Sequence, residues 1–347
     1  MNAARLLIRG AVLAVILSAP AFPCTTFVME GPEGPVVGKN YDWTADAGQV
    51  LVNPRGLEKR AGGAGSHAWT ARYGSVTFNQ YGRERPSGGI NEAGLVIEVM
   101  WLEEAEYPEE DGRAALSPLA WIQYNLDVSA TVNEVIASDR VVRIGQGGAP
   151  LHFLAADRSG AAATIEFLEG RMVAHTGKDL PWPVLTNDTY DRSLARLGEA
   201  PKAVGPEAFP GPGSLERFCR ASLRSGEGGG PQEAFGILDD CAMEEYNAWR
   251  IVYDVAGGTI RFRTRSAPQV RSINLSRIDF DCSAPVLMVD MGGSEQGDVT
   301  DKLVPWTAEA NYALMKRSFA ETSFTKDVPD STIRRLAERP AALQCAE

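Results

Sequence analysis

The sequence predicts a layered α+β protein in which antiparallel sheets pack against separate groups of helices. Strand-like segments come first in the chain, helical segments follow, and strands and then helices return towards its end. Short runs of turn residues separate neighbouring strands, as in hairpins and meanders. Strands and helices that are segregated along a chain in this way favour an α+β architecture over alternating βαβ units.

The strands are predicted from short apolar runs that turn residues bound on either side. The first hairpin joins Cys24–Met29 to Pro35–Asn40 across the turn residues 31–34. The glycine-rich segment 88–94 is interpreted as a connection between strands. The other predicted strands span residues 75–80, 95–102, 151–156, 162–168, 171–175, 248–255, 259–265 and 270–275.

The helices are predicted from their start signals. Ser117 is interpreted as an N-cap because proline follows it, and residues 131–134 (TVNE) match a capping box. Further helices are predicted at residues 214–224 and 231–239, and in the tail from about Thr307. There is no evident linker or repeat, so residues 24–347 are predicted to form one domain.

The first 23 residues are typical of an export signal with a short pro-segment. A basic start precedes the apolar run 11–17, which is too short to span a membrane, and Ala19-Pro20-Ala21 matches a small-x-small cleavage site. Removal of residues 1–23 would make Cys24 the first residue, so that one residue carries both a thiol nucleophile and a free amine as its base. No later stretch predicts a membrane span, and a periplasmic or secreted protein is expected.

Two other interpretations of Cys24 are open. One is the acylated cysteine of a lipid-anchored binding protein, although Pro23 stands where such signals need a small residue. The other is half of a disulfide, since exported proteins tend to pair their cysteines. The chain has five cysteines, and because this number is odd, at least one is left over or pairs with another chain.

Composition excludes several function classes. The chain has 34 basic and 45 acidic side chains and a formal net charge of −11. This acidic balance argues against nucleic acids and anionic membranes as partners. The three histidines show no metal-ligand spacing with one another or with a cysteine, and there is no phosphate-binding loop motif. No metal and no cofactor are therefore expected, and the expected partner is a small molecule.

A few polar residues follow apolar, strand-rich segments and are candidates for catalysis. Lys39 and Asp42 end the second strand of the hairpin that Cys24 begins. A carboxylate there can hold the terminal amine, and a cation can lower the pKa of the thiol. Asn187 follows an apolar run and is a suitable oxyanion donor. Taken singly, these residues and Arg217 also fit ordinary roles in turns, caps and a solvated helix face.

Taken together and in this order, the segments resemble the choloylglycine hydrolase family. These linear-amide hydrolases have an N-terminal nucleophile and include penicillin V acylases, conjugated bile salt hydrolases and some acyl-homoserine lactone acylases. The resemblance runs from Cys24 to about Leu275, and the tail after about residue 280 adds little. It rests on the segments CTTFVM, GKNYDW, SVTFNQYG, GGINEAGL, ATIEFLEG, VLTNDTY, SLERFCR and WRIVYDV.

The resemblance implies a fold and a set of roles. The fold is a four-layer αββα sandwich, and a homotetramer is expected because relatives are commonly tetramers. Cys24 would be the nucleophile, with its own α-amino group as base, and Asp42 would hold that amine. Asn187 would supply the side-chain half of the oxyanion hole, and Arg217 would lie near the nucleophile. Lys39 stands where the family often has arginine, and it keeps the charge but not the planar fork.

Two tryptophans suggest the character of the substrate pocket. Trp101 stands where bile salt hydrolases have asparagine and some penicillin V acylases have tyrosine. Its backbone N–H would complete the oxyanion hole, while its indole and that of Trp43 would line the pocket, unless they belong to the core. The pair resembles the Gram-negative branch of the family, whose members favour penicillin V or long-chain acyl-homoserine lactones.

For the arginine that would lie near the nucleophile, Arg220 is the alternative to Arg217.

An acidic run, residues 103–111, follows Trp101 directly. If it bordered the pocket it would repel anionic substrates such as bile salts and penicillins; otherwise it is a solvated loop.

The resemblance therefore implies a cofactor-free hydrolase that cleaves the C–N bond of penicillin V, acyl-homoserine lactones or both through a thioester. The alternatives are a conjugated bile salt hydrolase, a non-catalytic lipid-anchored binding protein, and an inactive relative that retains Phe22-Pro23.

Overall fold

In the computed structural model of the protein, two large sheets pack face to face between two layers of helices. The structure describes residues 23–61, 66–201 and 203–346. The predicted export segment therefore lies outside the described residues, except for Pro23. The α+β class and the αββα sandwich are confirmed by this arrangement.

The first sheet carries the N-terminal hairpin at its centre. Its strands are antiparallel except for the last pair, which is parallel. In spatial order they are β14 (Val184–Leu185), β1 (Thr25–Glu30), β2 (Pro35–Asp42), β15 (Asn247–Asp254), β16 (Thr259–Thr264), β17 (Arg271–Asn274) and β19 (Gly297–Asp298).

The second sheet is antiparallel throughout. In spatial order its strands are β13 (Arg171–Thr176), β12 (Ala162–Leu168), β11 (Leu151–Ala156), β8 (Val96–Trp101), β7 (Gly88–Asn91), β6 (Ser75–Asn79), β3 (Gln49–Asn53), β18 (Leu287–Asp290) and β20 (Val304–Pro305). Two small sheets complete the strands: β21 (Gln344–Cys345), β4 (Leu57–Arg60) and β5 (Ala68–Thr70), and the pair β9 (Ala114–Leu116) and β10 (Val142–Ile144).

The helices are divided between the two outer faces and the tail. They are α1 (Pro118–Val128), α2 (Val132–Ala137), α3 (Tyr190–Gly198), α4 (Ser214–Ser225), α5 (Pro231–Cys241), α6 (Ala308–Glu321) and α7 (Asp330–Glu338). Short 3₁₀ turns lie at Ser138–Arg140, Gly177–Asp179, Pro206–Ala208, Leu275–Arg277, Thr300–Lys302 and Arg339–Ala342. Helices α4 and α5 pack against β1 and β2 of the first sheet, and α1 and α2 pack against the second sheet.

The alternation of side chains along a strand explains why each sheet has two buried faces. In β8, Val96 and Met100 belong to the apolar core that contains the first sheet, whereas Ile97 and Val99 pack with α1. Because the period is two, Glu98 also points between the sheets, where a charged group is unexpected. The space between the sheets is therefore apolar except at a few defined positions.

The helix-start signals in the sequence are confirmed. The Ser117 hydroxyl accepts a hydrogen bond from the backbone of Ala120, as an N-cap does. The Thr131 side chain accepts from the backbone N–H of Glu134, whose carboxylate accepts from the backbone N–H of Thr131. The first hairpin is also confirmed, and it pairs Thr26 with Lys39.

The prediction of a connection at residues 88–94 is wrong for its first half, which is strand β7. Gly88 lies directly opposite Glu98 in the neighbouring strand. A Cβ atom at Gly88 would lie 2.2 Å from a carboxylate oxygen of Glu98, so only glycine leaves room for this buried side chain. The glycine that is typical of a turn serves here to hold a carboxylate between two sheets.

The tail contributes more than its weak resemblance indicated. Strand β18 pairs with β3 and so extends the second sheet. Cys345 forms a disulfide with Cys282, which settles one pairing that the sequence left open. Among the described residues, Cys24, Cys219 and Cys241 are free, so Cys24 is not part of an intrachain disulfide. None of the helices in the described ranges is long and apolar enough to cross a membrane.

We expect the disulfide to stabilise the fold by closing a long loop. The two cysteines are 63 residues apart, and removal of a crosslink of this span is expected to lower the free energy of unfolding by about 2–4 kcal/mol. Urea denaturation of the double variant Cys282→Ser/Cys345→Ser measures this loss. Reduction of the wild type with dithiothreitol should reproduce it, and reduction of the double variant should add nothing. Equal stability of the wild type and the double variant under oxidising conditions would contradict the expectation.

Candidate active site

Cys24 stands immediately before strand β1, which lies between β14 and β2 in the first sheet. Its side chain is 3% exposed and lines a pocket of ≈ 250 Å³ whose walls are mainly apolar. In this structure Pro23 precedes Cys24, so the nitrogen of Cys24 is part of a peptide bond. The thiol therefore lies at the wall of a cavity that a small molecule can enter.

Lys39 comes from β2 and is completely buried between the two sheets. Its ammonium group donates hydrogen bonds to the backbone carbonyl of Val99 and, at 3.2 Å, to the sulfur of Met100. Both acceptors belong to β8 of the second sheet. Lys39 thus connects the two sheets near Cys24, although neither of these bonds is to the thiol.

Glu98 supplies a negative charge to the same buried region. Tyr253 of β15 donates a hydrogen bond to its carboxylate. Burial raises the pKa of Glu98 to about 7, and the positive charge of Lys39 opposes this shift. The sequence analysis missed this residue because Glu98 interrupts an otherwise apolar strand, and the only signal was a charged side chain in the run LVIEVMWL.

Asp42 ends β2 and is also completely buried. The side-chain amide of Asn247 donates to its Oδ1 at 2.7 Å. The other oxygen, Oδ2, accepts no hydrogen bond from the described residues. Burial raises the pKa of Asp42 to about 7, although the hydrogen bond from Asn247 opposes the shift. A buried carboxylate oxygen without a donor is costly, so this atom is suited to receive one.

Arg217 reaches the site from α4 and is 1% exposed. Its Nη1 donates to the backbone carbonyl of Cys24 and, at 2.7 Å, to the hydroxyl of Thr25. Its Nη2 donates to the side-chain oxygen of Asn187 at 2.9 Å. One guanidinium group therefore fixes both the residue that carries the thiol and the amide beside it. Arg220 instead donates to the carbonyl groups of Phe209 and Gly211 and does not contact these residues.

The orientation of Asn187 follows from its neighbours. A guanidinium group can only donate hydrogen bonds, so the amide oxygen of Asn187 must face Arg217. The amide nitrogen then points the other way and donates to the carbonyl of Trp101 at 2.9 Å. This bond uses one of its two hydrogens, and the second is available to a ligand.

A buried network that the sequence analysis missed supports the segment that carries Asn187. The ring of His152 contacts the backbone carbonyl of Thr186 at 2.8 Å and the carboxylate of Glu166 at 3.2 Å. The hydroxyl of Ser214, at the start of α4, accepts from the backbone N–H of Asn187 at 2.9 Å. A lone histidine without a motif gave no signal in the sequence.

The charges around Cys24 act on its thiol in opposite directions. Burial raises the pKa of the Cys24 thiol above its usual value, Lys39 and Arg217 oppose this shift, and the carboxylate of Asp42 adds to it. A thiolate at this position therefore depends on the cations around it.

Aromatic rings form the outer part of the pocket. The ring centroids of Trp43 and Trp101 are 6.1 Å apart, and Phe324 of the tail lies 6.2 Å from the first and 5.9 Å from the second. We call these three residues the aromatic cluster. The two tryptophans line the pocket as the sequence analysis expected, and Trp43 is at the same time part of the core. Phe324 was missed because it lies in the tail, outside the resemblance.

The acidic run does not border this pocket. Glu106 and Glu109 line a separate polar depression with the segment 146–148. Glu103 accepts a hydrogen bond from the indole of Trp101, and Glu104 pairs with Arg192. Of the two interpretations of this run, the structure therefore supports the solvated surface loop and not the border of the pocket that would repel anions.

Within the described part of the chain, no group of three or more histidine, cysteine or acidic side chains is arranged to hold a metal ion.

Comparison with known proteins decides the family. Residues 24–207 match the family described as linear amide C–N hydrolases, choloylglycine hydrolase family. The chain belongs to this family. It is a linear amide C–N hydrolase, as the resemblance implied.

The relatives of this family member include penicillin V acylases. The chain is 36% identical over 230 residues to the penicillin V acylase of Pectobacterium atrosepticum, a match that covers 59% of this chain and 60% of the relative. The structure of penicillin V acylase from Agrobacterium tumefaciens is similar with a TM-score of 0.71 and 29% identity, covering 82% of this chain and 98% of that one. The conjugated bile acid hydrolase of Clostridium perfringens shares the fold, with a TM-score of 0.65 and 15% identity over 79% of this chain and 98% of that one.

The structure of this family member brings the seven predicted site residues into one region. Four of them are grouped around Cys24, and the two tryptophans line the pocket beside it. They are Cys24, Lys39, Asp42, Asn187, Arg217, Trp43 and Trp101. Their roles in catalysis stay predictions that the experiments below address.

The buried carboxylate of Glu98 should make stability depend on pH. Its pKa is about 7 in the folded protein, against 4.5 ordinarily, so between these values the folded protein holds a proton that the unfolded chain has lost. The free energy of unfolding should therefore fall as the pH rises from about 5 to 8, by about 2 kcal/mol from this residue. Denaturant titrations between pH 5 and 8 should show a smaller fall of the free energy of unfolding in Glu98→Gln than in the wild type. This variant keeps an acceptor for the hydroxyl of Tyr253.

Glu169→Gln is the matched control, because it removes an exposed carboxylate from a turn. It should retain the wild-type dependence on pH. If Glu98→Gln lost as much stability between pH 5 and 8 as the wild type, the expectation would be wrong.

Proposed function

We propose that this protein hydrolyses the amide bond of N-acyl compounds of the penicillin V type, with the thiol of Cys24 as nucleophile. The observation that carries the proposal is the position of Cys24. Its thiol lines the apolar pocket, while its carbonyl is held by Arg217, which also orients Asn187. Nucleophile and oxyanion donor are thus connected through one guanidinium group, beside a cavity for the acyl group.

The base in this proposal is the α-amino group of Cys24, which removal of residues 1–23 would set free. The unpartnered Oδ2 of Asp42 supports this step because a buried carboxylate oxygen is suited to an ammonium group. Pairing with the amine would stabilise the ionised form of Asp42 and lower the pKa that burial raises. The charges of Lys39 and Arg217 would stabilise the thiolate.

Attack of the thiolate on the amide carbonyl gives a tetrahedral intermediate with a negatively charged oxygen. The second hydrogen of the Asn187 amide and the backbone N–H of Trp101 would stabilise this oxygen. The α-amino group then protonates the leaving amine, and the acyl group stays on Cys24 as a thioester. A water molecule, activated by the same amine, releases the acid and regenerates the thiol.

The aromatic cluster favours an aryl-acyl group such as the phenoxyacetyl group of penicillin V. Flat rings gain from edge or stacked contacts beyond their buried area. The names of the two penicillin V acylases to which the chain is similar support the same substrate. Neutral long-chain acyl-homoserine lactones are the second candidate, because the wall of the pocket is mainly apolar. Bile salts stay the third, since the likeness to a bile acid hydrolase concerns the fold alone.

The proposal includes export of the protein. The disulfide between Cys282 and Cys345 supports a periplasmic or secreted location, since such bonds persist in oxidising compartments. The homotetramer stays a prediction from the resemblance.

The decisive test is amine release by the purified mature protein from penicillin V and from a long-chain acyl-homoserine lactone, measured side by side. Cys24→Ala should reduce turnover of either substrate by at least about 10⁴-fold, as expected when a covalent nucleophile is lost. Cys219→Ala is the control, because it removes another buried free thiol that does not line the pocket of Cys24. Substantial activity in Cys24→Ala would refute the mechanism.

Removal of the Phe324 side chain from the aromatic cluster should weaken substrate binding more than it slows the chemical step. Phe324 is 54% exposed and contacts both tryptophans, so Phe324→Ala should raise KM for penicillin V by about 3–10-fold with little change in kcat. Phe324→Leu keeps part of the apolar area, so its KM should lie between those of the wild type and Phe324→Ala. A KM equal to that of the wild type in Phe324→Ala would show that the tail does not contact the substrate.

A further inference from the structure

A second, larger cavity adjoins the pocket of the nucleophile. It has a volume of ≈ 740 Å³, and its walls are about half polar. Arg85 and Ser117 line both this cavity and the apolar pocket that contains Cys24. A molecule with its acyl group in the apolar pocket can therefore extend past these two residues into a polar space.

Arg85 at this junction forms no ion pair with any carboxylate that the structure describes. The same holds for Arg339, which also lines the larger cavity. The neighbouring carboxylate of Glu84 is occupied by the ammonium group of Lys59 at 2.7 Å. Burial and then repulsion from Arg339 lower the pKa of Arg85, so the two guanidinium groups are close enough to act on each other. An anion between them would relieve this repulsion.

The backbone holds Arg85 in this position at some cost. Glu84, the residue before it, has a φ of 71°, in the left-handed region that side chains other than glycine rarely adopt. The ion pair with the buried Lys59 keeps Glu84 in this conformation. Strained backbone of this kind is found at ligand-binding sites, where the surrounding structure enforces it.

A third source of positive potential lies at the same junction. Ser117 caps the N-terminus of α1, an 11-residue helix whose dipole places partial positive charge at this end. The chain as a whole is strongly acidic, with a net charge of −11. Two carboxylates, those of Glu58 and Glu84, also line the larger cavity. The guanidinium groups of Arg85 and Arg339, which pair with no carboxylate in the described ranges, and the helix N-terminus still make this opening a local exception to the charge of the protein.

We propose that Arg85, supported by Arg339 and the N-terminus of α1, binds a carboxylate of the substrate. The inference rests on the proposed function and restricts its substrate class, because the site would favour anionic N-acyl amides over neutral ones. The carboxylate belongs either to the amine half of the substrate, as in penicillin V, or to the far end of the acyl group. A guanidinium group suits both, since its planar fork matches a carboxylate.

The test compares each carboxylate with its own methyl ester, which differs in charge and little in shape. The first pair is penicillin V and its methyl ester, and the second pair is an adipoyl amide and its monomethyl ester. The quantity measured is the ratio of kcat/KM for acid over ester. In Arg85→Met this ratio should fall by about tenfold or more for the pair whose carboxylate binds at Arg85. Arg85→Lys should retain part of the wild-type ratio, because the positive charge remains. It should not retain all of it, because the planar pair of guanidinium donors is lost.

Arg171→Met is the matched control, because it removes an equal charge from an exposed side chain that pairs with Glu169 on β13. It should keep the wild-type ratios. A fall with the first pair assigns the site to the amine half, and a fall with the second assigns it to the acyl end. Unchanged ratios for both pairs in Arg85→Met would overturn the inference, while hydrolysis of the esters would still support the proposed function.

Binding provides a readout that does not need turnover. Association of each acid and ester with Cys24→Ala can be followed by the fluorescence of Trp43 and Trp101, which line the pocket. In the double variant Cys24→Ala/Arg85→Met, the affinity for the acid relative to its ester should fall by about the same factor as the ratio of kcat/KM. If no substrate is hydrolysed by the wild type but this difference is found, the proposed function fails and the anion site stands. Equal loss for acid and ester would refute the site.

Discussion

The buried guanidinium group of Arg217 is the interaction on which the candidate site depends. It joins the start of β1, the amide of Asn187 after β14, and the segment before α4, whose Pro212 carbonyl accepts from its Nε at 3.0 Å. These segments also touch one another, since β14 pairs with β1 and Asn187 donates to Ser214, but the side chain of Arg217 contacts all three. Because burying a charge is costly unless its donors are used, the arginine in turn requires these partners to stay where they are. The position of the thiol relative to the amide is therefore a consequence of how one cation is satisfied.

A small set of balanced charges is buried in the apolar core around Cys24. Lys39 and Arg217 are the cations, and Asp42 and Glu98 are the carboxylates. Both carboxylates have a pKa near neutrality because they are buried, so the balance changes within the physiological range. A new ammonium group at Cys24, or a thiolate there, would change it again. The chemistry of the nucleophile and the stability of the layers are thus coupled through the same few groups.

Much of the fold could be predicted from local signals, and the errors have physical causes. The N-terminal hairpin and the caps of α1 and α2 were recognised because turn and cap chemistry is local. Strand β7 was missed because Gly88 is present to accommodate Glu98, a tertiary requirement that resembles a turn in the sequence. For the acidic run, the sequence left open whether it borders the pocket, since proximity to Trp101 along the chain does not determine which cavity a loop faces.

The candidate site could also be predicted only in part. The residues near Cys24 were found because the family resemblance orders them, whereas Glu98, His152 and Phe324 gave no separate signal. The first two are single buried polar residues in apolar strands, and the sequence does not reveal their partners. Phe324 reaches the pocket through packing of the tail, which no local pattern records. Long-range contacts are therefore what sequence reasoning lacked here.

The origin of Phe324 in the tail has a consequence for how the protein can change. Cys24 and the residues around it come from the sheets and α4, whereas one wall of the pocket comes from the segment between α6 and α7. That segment lies inside the loop that the disulfide closes, and the same loop contains β18 of the second sheet, so the tail is tied to the sheet at both places. The wall that Phe324 adds to the pocket therefore comes from a later part of the chain than Cys24 and the residues around it. Under the proposed function, mutations between α6 and α7 would reshape this wall while the residues around Cys24 stay unchanged.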